Sequence, residues 1–157
     1  KRNKAKFDSE NRLRPVHSNS SLTYVHVYVK GKRMSALVDT GSDVTIGSTK
    51  LAKKFKWQIR RADISVVTAA NNEPMHIDGE VNEIISIAGQ KISTRIYLTN
   101  DLTELVLGYD WLKSQDCVWD FVNNRLQIKG GAWISLFSSK GNECRRPLLQ
   151  RKFLDPS

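Results

Sequence analysis

The chain has 157 residues, a formal net charge of +9 and a hydrophobic content of 39%, which suits one domain with a moderate core and polar ends. No apolar run is long enough to span a membrane, and no signal-peptide pattern opens the chain. Two cysteines, Cys117 and Cys144, are too few for a disulfide framework, so an intracellular, cytoplasmic setting is expected.

The excess positive charge lies at the two ends. Residues 1–14 hold six basic and two acidic side chains, and residues 138–157 hold five and two. We interpret residues 1–20 as a basic linker, 21–137 as the domain and 138–157 as a basic spacer. Weak contact of these tails with nucleic acid stays open as an alternative. Because the chain begins at Lys1 and not at Met, we expect a fragment of a longer polypeptide.

Strand periodicity begins near residue 22. Valines at every second position over residues 25–29 predict a strand, with Tyr24 and His26 on its outer face. His26 is interpreted as a solvated histidine, since no Cys/His cluster accompanies it. A turn at residues 30–32 leads to a second strand over 34–38, which ends at Asp39.

A short helix is predicted after Ser48, which can cap it. Lysines at 50, 53, 54 and 56 surround its apolar face. They resemble a phosphate-binding patch, but a solvated helix face is the preferred interpretation.

The second half of the chain predicts further short strands. Residues 64–68 and 75–78 flank a hairpin tip, and residues 80–87, 91–98 and 105–107 are strand-like. Asp110 is predicted to cap a second short helix. A hairpin over 118–128 and a last strand over 133–137 follow. The pattern predicts an all-β closed or nearly closed barrel with one or two short helices.

The segment Asp39-Thr40-Gly41 carries the predicted chemistry. An aspartate directly after a buried strand, on a turn that Gly41 lets bend, can be held rigidly at a cleft. Two close carboxylates share one proton and can activate water for peptide hydrolysis. The triplet occurs once, so if its chemistry needs two carboxylates, a second chain must bring the other one. The N–H groups of Gly41 and Ser42 are expected to steady the carboxylate.

The strings LVDTGSDVT and LVLGYDWL resemble the active-site and second apolar-glycine elements of the retropepsin-like aspartic proteases. The form LGYDWL, followed by CVWDF and NNRLQI, is most similar to proteases of gypsy-type LTR retrotransposons. The resemblance covers residues 21–137 and implies a symmetric homodimer that cleaves a Gag-Pol-like polyprotein, within retrovirus-like particles. It implies neither a metal nor an organic cofactor.

The resemblance also implies residue roles. Asp39 is the catalytic acid, supported by Thr40 and Gly41. Asp43 is expected to contact the substrate backbone, and Ser42 is assigned to substrate binding. The substrate-covering flap tip is expected at Ala69, Ala70, Asn71, Asn72 and Glu73. Tyr109 stands where the family tends to carry arginine, so an ion pair with Asp43 is not expected from that position.

Other functions stay open at this point. A domesticated retropepsin-like domain could serve dimerisation or binding without proteolysis. A nucleic-acid-binding module could use the basic tails, and a related protease domain of the ubiquitin pathway is a further alternative. Within a dimer, either residues 118–128 or residues 133–137 are expected to form the interface.

Overall fold

The computed structural model describes residues 22–69 and 72–138, and residues Thr23–Phe137 form one compact unit. Within these ranges lie two short helices, α1 (Thr49–Lys54) and α2 (Tyr109–Ser114), and twelve strands. The strands are β1 (Thr23–Val29), β2 (Lys32–Val38), β3 (Ile46–Ser48), β4 (Val66–Thr68), β5 (Pro74–His76), β6 (Gly79–Ile87), β7 (Gln90–Thr99), β8 (Leu105–Leu107), β9 (Val118–Asp120), β10 (Arg125–Gln127), β11 (Trp133–Ser135) and β12 (Phe137–Ser138).

Six strands close a barrel in the order β1, β2, β8, β3, β7 and β6. The barrel closes where β6 returns to β1, with Tyr28 opposite Ser86 and Val29 opposite Ile85. Strand β12 pairs with β1 outside this ring. The predicted all-β closed barrel with short helices is confirmed.

Alternating side chains fill the barrel. Val25, Val27 and Val29 of β1 are fully buried, as their period predicted. The prediction for Tyr24 was wrong, because this side chain is only 1% exposed and its ring stacks on Phe137 at 5.7 Å. The Phe137 ring of β12 packs on the face of β1 that the alternating pattern alone predicts to be exposed to solvent.

Two hairpin turns have the geometry that joins twisted strands most directly. Lys30 and Gly31 link β1 to β2 with φ of 50° and 78°, and Ala88 and Gly89 link β6 to β7 with φ of 49° and 80°. Positive φ at both central residues is the geometry of two-residue turns, and glycine adopts it without a steric cost. The turn predicted at residues 30–32 is therefore present.

The two helices are capped differently. Ser48 caps α1 as predicted, because its hydroxyl accepts a hydrogen bond from the Lys50 N–H at 3.2 Å. The prediction for Asp110 was wrong: Gly108 occupies the cap position of α2, and Asp110 lies in the first turn. Neither helix, nor any other part of the described chain, provides a helical stretch with the length and apolarity to cross a bilayer.

The β4–β5 hairpin lies over a second, smaller apolar cluster. This cluster is centred on Ile46, Tyr97 and Val106, and Val67 and Met75 of the hairpin pack against it. The hairpin therefore has an apolar inner face and covers one wall of the barrel.

A three-stranded sheet in the order β11, β10, β9 follows α2. The predicted hairpin of residues 118–128 is present as β9 and β10. The single strand predicted over residues 133–137 was wrong: it divides at Leu136, so β11 pairs with β10 and β12 pairs with β1. The predicted linker, and the predicted spacer apart from Ser138, lie outside the described residues.

Candidate active site

Asp39 follows directly after β2 and is held by β8. These two strands run parallel, with Val38 opposite Leu107, and the Asp39 N–H donates to the Leu107 carbonyl at 3.1 Å. The backbone of Asp39 is thereby fixed to a buried strand that lies 68 positions further along the chain. The side chain is half-buried.

The turn after Asp39 orients its carboxylate. The Gly41 N–H donates to Asp39 Oδ1 at 2.9 Å, as predicted. The expectation for Ser42 was wrong, since its N–H donates to the Asp39 backbone carbonyl at 3.2 Å and its hydroxyl donates to the Val44 carbonyl. Thr40 is exposed. The other carboxylate oxygen and the Thr40 side chain are therefore left to meet groups outside this loop.

Gly108 lets the second apolar element press against the active-site loop. A Cβ at this position would overlap the Val44 carbonyl oxygen and lie 2.7 Å from the Ser42 carbonyl oxygen. The next N–H, of Tyr109, donates to the same Ser42 carbonyl at 2.6 Å. Close backbone contact, and not an unusual φ (−90° here), explains the glycine.

A buried hydroxyl links the two elements. Thr45 is 1% exposed, and its Oγ1 donates to Asp110 Oδ1 at 2.8 Å and accepts from the Gly108 N–H at 3.1 Å. Asp110 Oδ1 also accepts from the Trp111 N–H at 2.7 Å. Because a buried polar group is costly when unsatisfied, this network fixes the register of the loop against α2.

Asp43 is exposed at the mouth of the loop. Its backbone carbonyl accepts from the Asp110 N–H at 3.3 Å. Within the described ranges its carboxylate forms no ion pair. The side chain is thus available to an incoming ligand.

The predicted hairpin tip joins β4 to β5. The Ala69 N–H donates to the Glu73 carbonyl at 2.8 Å, and the Asn72 N–H donates to the Ala69 carbonyl at 2.9 Å. Asn72 has a φ of 65°, which asparagine tolerates. Ala70 and Asn71 lie outside the described residues.

A charged network holds the segment before this hairpin. Arg95 on β7 donates to Glu80 at 3.0 and 3.1 Å and to Asp63 at 2.6 Å, and the Tyr97 hydroxyl donates to Asp63 at 2.8 Å. The hydrogen bonds from Tyr97 and Arg95 lower the pKa of Asp63. The segment before the hairpin is therefore attached to the barrel wall through Asp63.

Sequence reasoning missed the Thr45–Asp110 contact. The two residues are 65 positions apart, and no local periodicity pairs them. The available signal was their place in the two strings, since Thr45 ends LVDTGSDVT and Asp110 lies in LVLGYDWL.

Glu104 precedes β8 and is 7% exposed. Burial raises the pKa of its carboxyl to about 7 from an ordinary 4.5. The fold therefore favours the protonated acid, and this stabilising contribution is complete below the unfolded pKa and is lost as pH rises through 7.

Replacing Glu104 by Gln should remove that pH dependence. We expect the free energy of unfolding of the wild-type chain to fall by up to about 3 kcal/mol between pH ~4.5 and pH ~7.5, and that of the variant to change much less. Urea unfolding at the two pH values measures the difference. Asp116→Asn, an exposed acid-to-amide change, is the control; equal pH dependence in wild type and Glu104→Gln would refute the assignment.

Comparison with known proteins identifies the fold around this site. A family model described as "gag-polyprotein putative aspartyl protease" matches residues 25–114, which includes both strings. The chain belongs to this family of retropepsin-like aspartic proteases. The predicted family is confirmed.

Relatives and solved structures agree with the assignment. The chain is 28% identical over 116 residues to DNA damage-inducible protein 1 of Candida glabrata, covering 73% of this chain and 27% of that protein. The retroviral protease-like domain of Ddi1 from Leishmania major has the same fold (TM-score 0.62, 20% identity, 78% of this chain and 98% of that one). So does EIAV protease complexed with the inhibitor HBY-793 (TM-score 0.52, 17% identity, 63% and 92%). This retropepsin-like chain spans about a quarter of its curated relative.

The retropepsin-like fold is typically dimeric and binds polypeptides. The present chain contains one Asp-Thr-Gly triplet, at Asp39. In the described part of this retropepsin-like chain, no group of three or more His, Cys, Asp or Glu side chains is placed to hold a metal ion.

Proposed function

We propose that the chain is one subunit of an aspartic endopeptidase, active as a symmetric homodimer with Asp39 of each subunit as the catalytic acid. The observation that carries this proposal is the Asp39 carboxylate, fixed by the Gly41 N–H at 2.9 Å beside an exposed Thr40. One Asp-Thr-Gly triplet per chain supplies one acid, so a peptidase site is incomplete without a second copy.

The chemistry follows from two facing carboxylates. Like charges at close range cannot both ionise, so the pair holds one proton. The ionised member takes a proton from water as the water attacks the peptide carbonyl, and the protonated member donates to the carbonyl oxygen. The pair titrates as a unit. Activity should therefore be highest at mildly acid pH and fall as the shared proton is lost.

The surroundings suit an extended peptide. Asp43 is exposed next to the catalytic loop, and in the described chain β4 and β5 pair only with each other, so the hairpin has strand edges without a further strand partner. A peptide lying between loop and hairpin would bind by strand addition. We assign Ser42, Asp43 and residues 69–73 to substrate contact, and Thr40 to a hydroxyl contact across the two-fold axis. The match to a gag-polyprotein protease model favours a retroelement polyprotein as substrate.

Cleavage of a peptide mixture by the purified chain at mildly acid pH, with products read by mass spectrometry, tests this function. We expect defined cut sites that are lost when Asp39 is replaced. A folded dimer that binds peptides and cuts none would favour the second candidate, a domesticated binding domain. Its support is the 28% identity to a protein in which the matched region is only 27% of the length.

The exposed face of the β9–β10 hairpin suits the dimer contact. Strand β9 is an edge of its sheet, and Val118, Phe121 and Val122 are 50%, 71% and 92% exposed. A cavity of about 240 Å³ next to it is lined by both Thr40 and Trp119. Because Thr40 must lie near the two-fold axis, this face, rather than residues 133–137, would meet the second copy.

The hairpin is rigid enough to serve as an interface. Asp120 accepts hydrogen bonds from Asn123 and Arg125, which lower its pKa to about 2. The ring of Trp119 stacks on Phe121 at 4.7 Å. The turn and the Phe121 ring are thus held in place, which reduces the entropy lost on association.

Replacing Phe121 by Asp should convert the dimer into a folded monomer. A charge at this exposed position costs little in the single chain, but in the interface it would be buried without a partner. We expect dimer affinity to fall at least about 100-fold, consistent with a loss of about 3 kcal/mol. Analytical ultracentrifugation across a concentration series measures it.

Ile84→Asp, on the outer face of β6 and 55% exposed in the wild type, is the matched control and should leave the dimer intact. A melting temperature within a few degrees of wild type would show that Phe121→Asp remains folded. A folded Phe121→Asp variant that dimerises normally would place the interface elsewhere.

A further inference from the structure

Residues 30–61 and residues 62–138 differ strongly in charge. Residues 30–61 hold nine Lys/Arg and two Asp/Glu, and residues 62–138 hold five and ten. The two acids of the first group are Asp39 and Asp43 of the active-site loop. Away from that loop, residues 30–61 are therefore strongly positive, even though the described chain is close to neutral as a whole.

Folding gathers much of this charge at one end of the barrel. The basic end consists of Lys50, Lys53 and Lys54 of α1, Lys56 after it, and Lys32 at the start of β2. The spacing of the helix lysines puts them on one face. Lys32 Nζ and Lys54 Nζ lie 5.9 and 5.5 Å from the centroid of the Phe55 ring, so the ring draws the two elements together.

The cations of the basic end lack acidic partners. All five side chains are exposed, and in the described part of the chain none has a carboxylate oxygen within 4 Å. The ion pairs that are present use Lys30, Arg60, Arg95 and Arg125. Five unpaired like charges repel one another, and a polyanion would relieve that repulsion.

We propose that the basic end binds the phosphate backbone of nucleic acid without sequence preference. Phosphates spaced along a strand match several separate ammonium groups. When the lysines neutralise these phosphates, the nucleic acid releases its counterions, and this release supplies the binding free energy. The basic end has no ring on which a base could stack, because Phe55 is half-buried and its face is approached by two lysines. The same lack of an exposed apolar anchor argues against a lipid surface.

This surface is separate from the candidate active site. Lys32 and Asp39 lie at opposite ends of β2, about 20 Å apart along the strand. The geometry leaves the peptide site open while a nucleic acid occupies the basic end. The protease domain itself would then be tethered to nucleic acid, independently of the basic tails.

Binding of a fluorescent single-stranded 20-nucleotide RNA by the full chain, across a salt series, tests the proposal. Lys53→Gln with Lys54→Gln should weaken binding at least several-fold and reduce the slope of log affinity against log salt by about 1.4, because each phosphate contact on a single strand contributes about 0.7. Lys91→Gln with Lys129→Gln removes two exposed lysines from residues 62–138. This pair should change neither the affinity nor the salt slope. Lys53→Arg with Lys54→Arg should bind as wild type does.

Two outcomes would overturn the proposal. Equal weakening by both Gln pairs would show that net charge, or the tails, dominates. Equal RNA binding by wild type and Lys53→Gln/Lys54→Gln, together with loss of binding to phosphatidylserine vesicles, would assign the basic end to a membrane. Peptide cleavage should be the same in all four chains, since none of these lysines belongs to the candidate active site.

Discussion

Replacing Asp39 by Asn should abolish peptide cleavage, lowering the rate by at least about 1,000-fold, because general acid–base transfer contributes about 100- to 10,000-fold to such reactions. Asparagine keeps the shape of the side chain and can still accept the Gly41 hydrogen bond, but it cannot exchange a proton with water or substrate. The fold should survive, since the Asp39 backbone contact to Leu107 is unaffected.

The matched control is Asp116→Asn. Asp116 is exposed and has a φ of 47°, a conformation that asparagine adopts readily. Initial rates on one cleaved peptide, with circular dichroism of each variant, make the comparison. Cleavage by Asp39→Asn at a rate similar to that of Asp116→Asn would remove Asp39 from the chemistry.

Replacing Gly108 by Ala should destabilise the chain by at least about 3 kcal/mol, because the added methyl group overlaps backbone and not a movable side chain. The Val44 and Ser42 carbonyls that it meets belong to the active-site loop. If the chain still folds, the loop must move, so cleavage should fall by more than the loss of folded protein explains. Urea unfolding and the rate per folded molecule separate the two effects.

Gly31→Ala provides the contrast. No atom lies within 4 Å of a Cβ at Gly31, and the cost there comes from its φ of 78° alone. We expect a loss of about 1 kcal/mol and unchanged cleavage. If Gly108→Ala were as mild as Gly31→Ala, the second apolar element would not be holding the loop.

The barrel was predictable wherever burial follows a simple period. Val25, Val27 and Val29 alternate, the turn glycines stand between strands, and Leu105–Leu107 is wholly apolar because it is buried on both faces. Tyr24 was placed wrongly, because Phe137 covers it from 113 positions away. A period describes one strand and cannot report which distant side chain packs on its outer face.

The candidate site was predictable where its contacts join residues that are close in the sequence. The Asp39–Gly41 contact is local, so the triplet reveals it. The support from Thr45 and Asp110 depends on the parallel pairing of β2 with β8, which only the folded chain brings about. The assignment of Asp110 as a helix cap failed for that reason: its carboxylate serves a tertiary contact as well as its own helix.

The proposal that two identical chains share one site is tested most directly by mixing. Wild-type chain, held at a concentration where it is dimeric, is titrated with the Asp39→Asn chain and allowed to exchange subunits. If each site needs an acid from both subunits, activity should fall to about one half at equal amounts and to about one tenth at ninefold excess, as random pairing in a two-fold dimer requires. Activity that stays constant as the inactive chain is added would contradict a shared site.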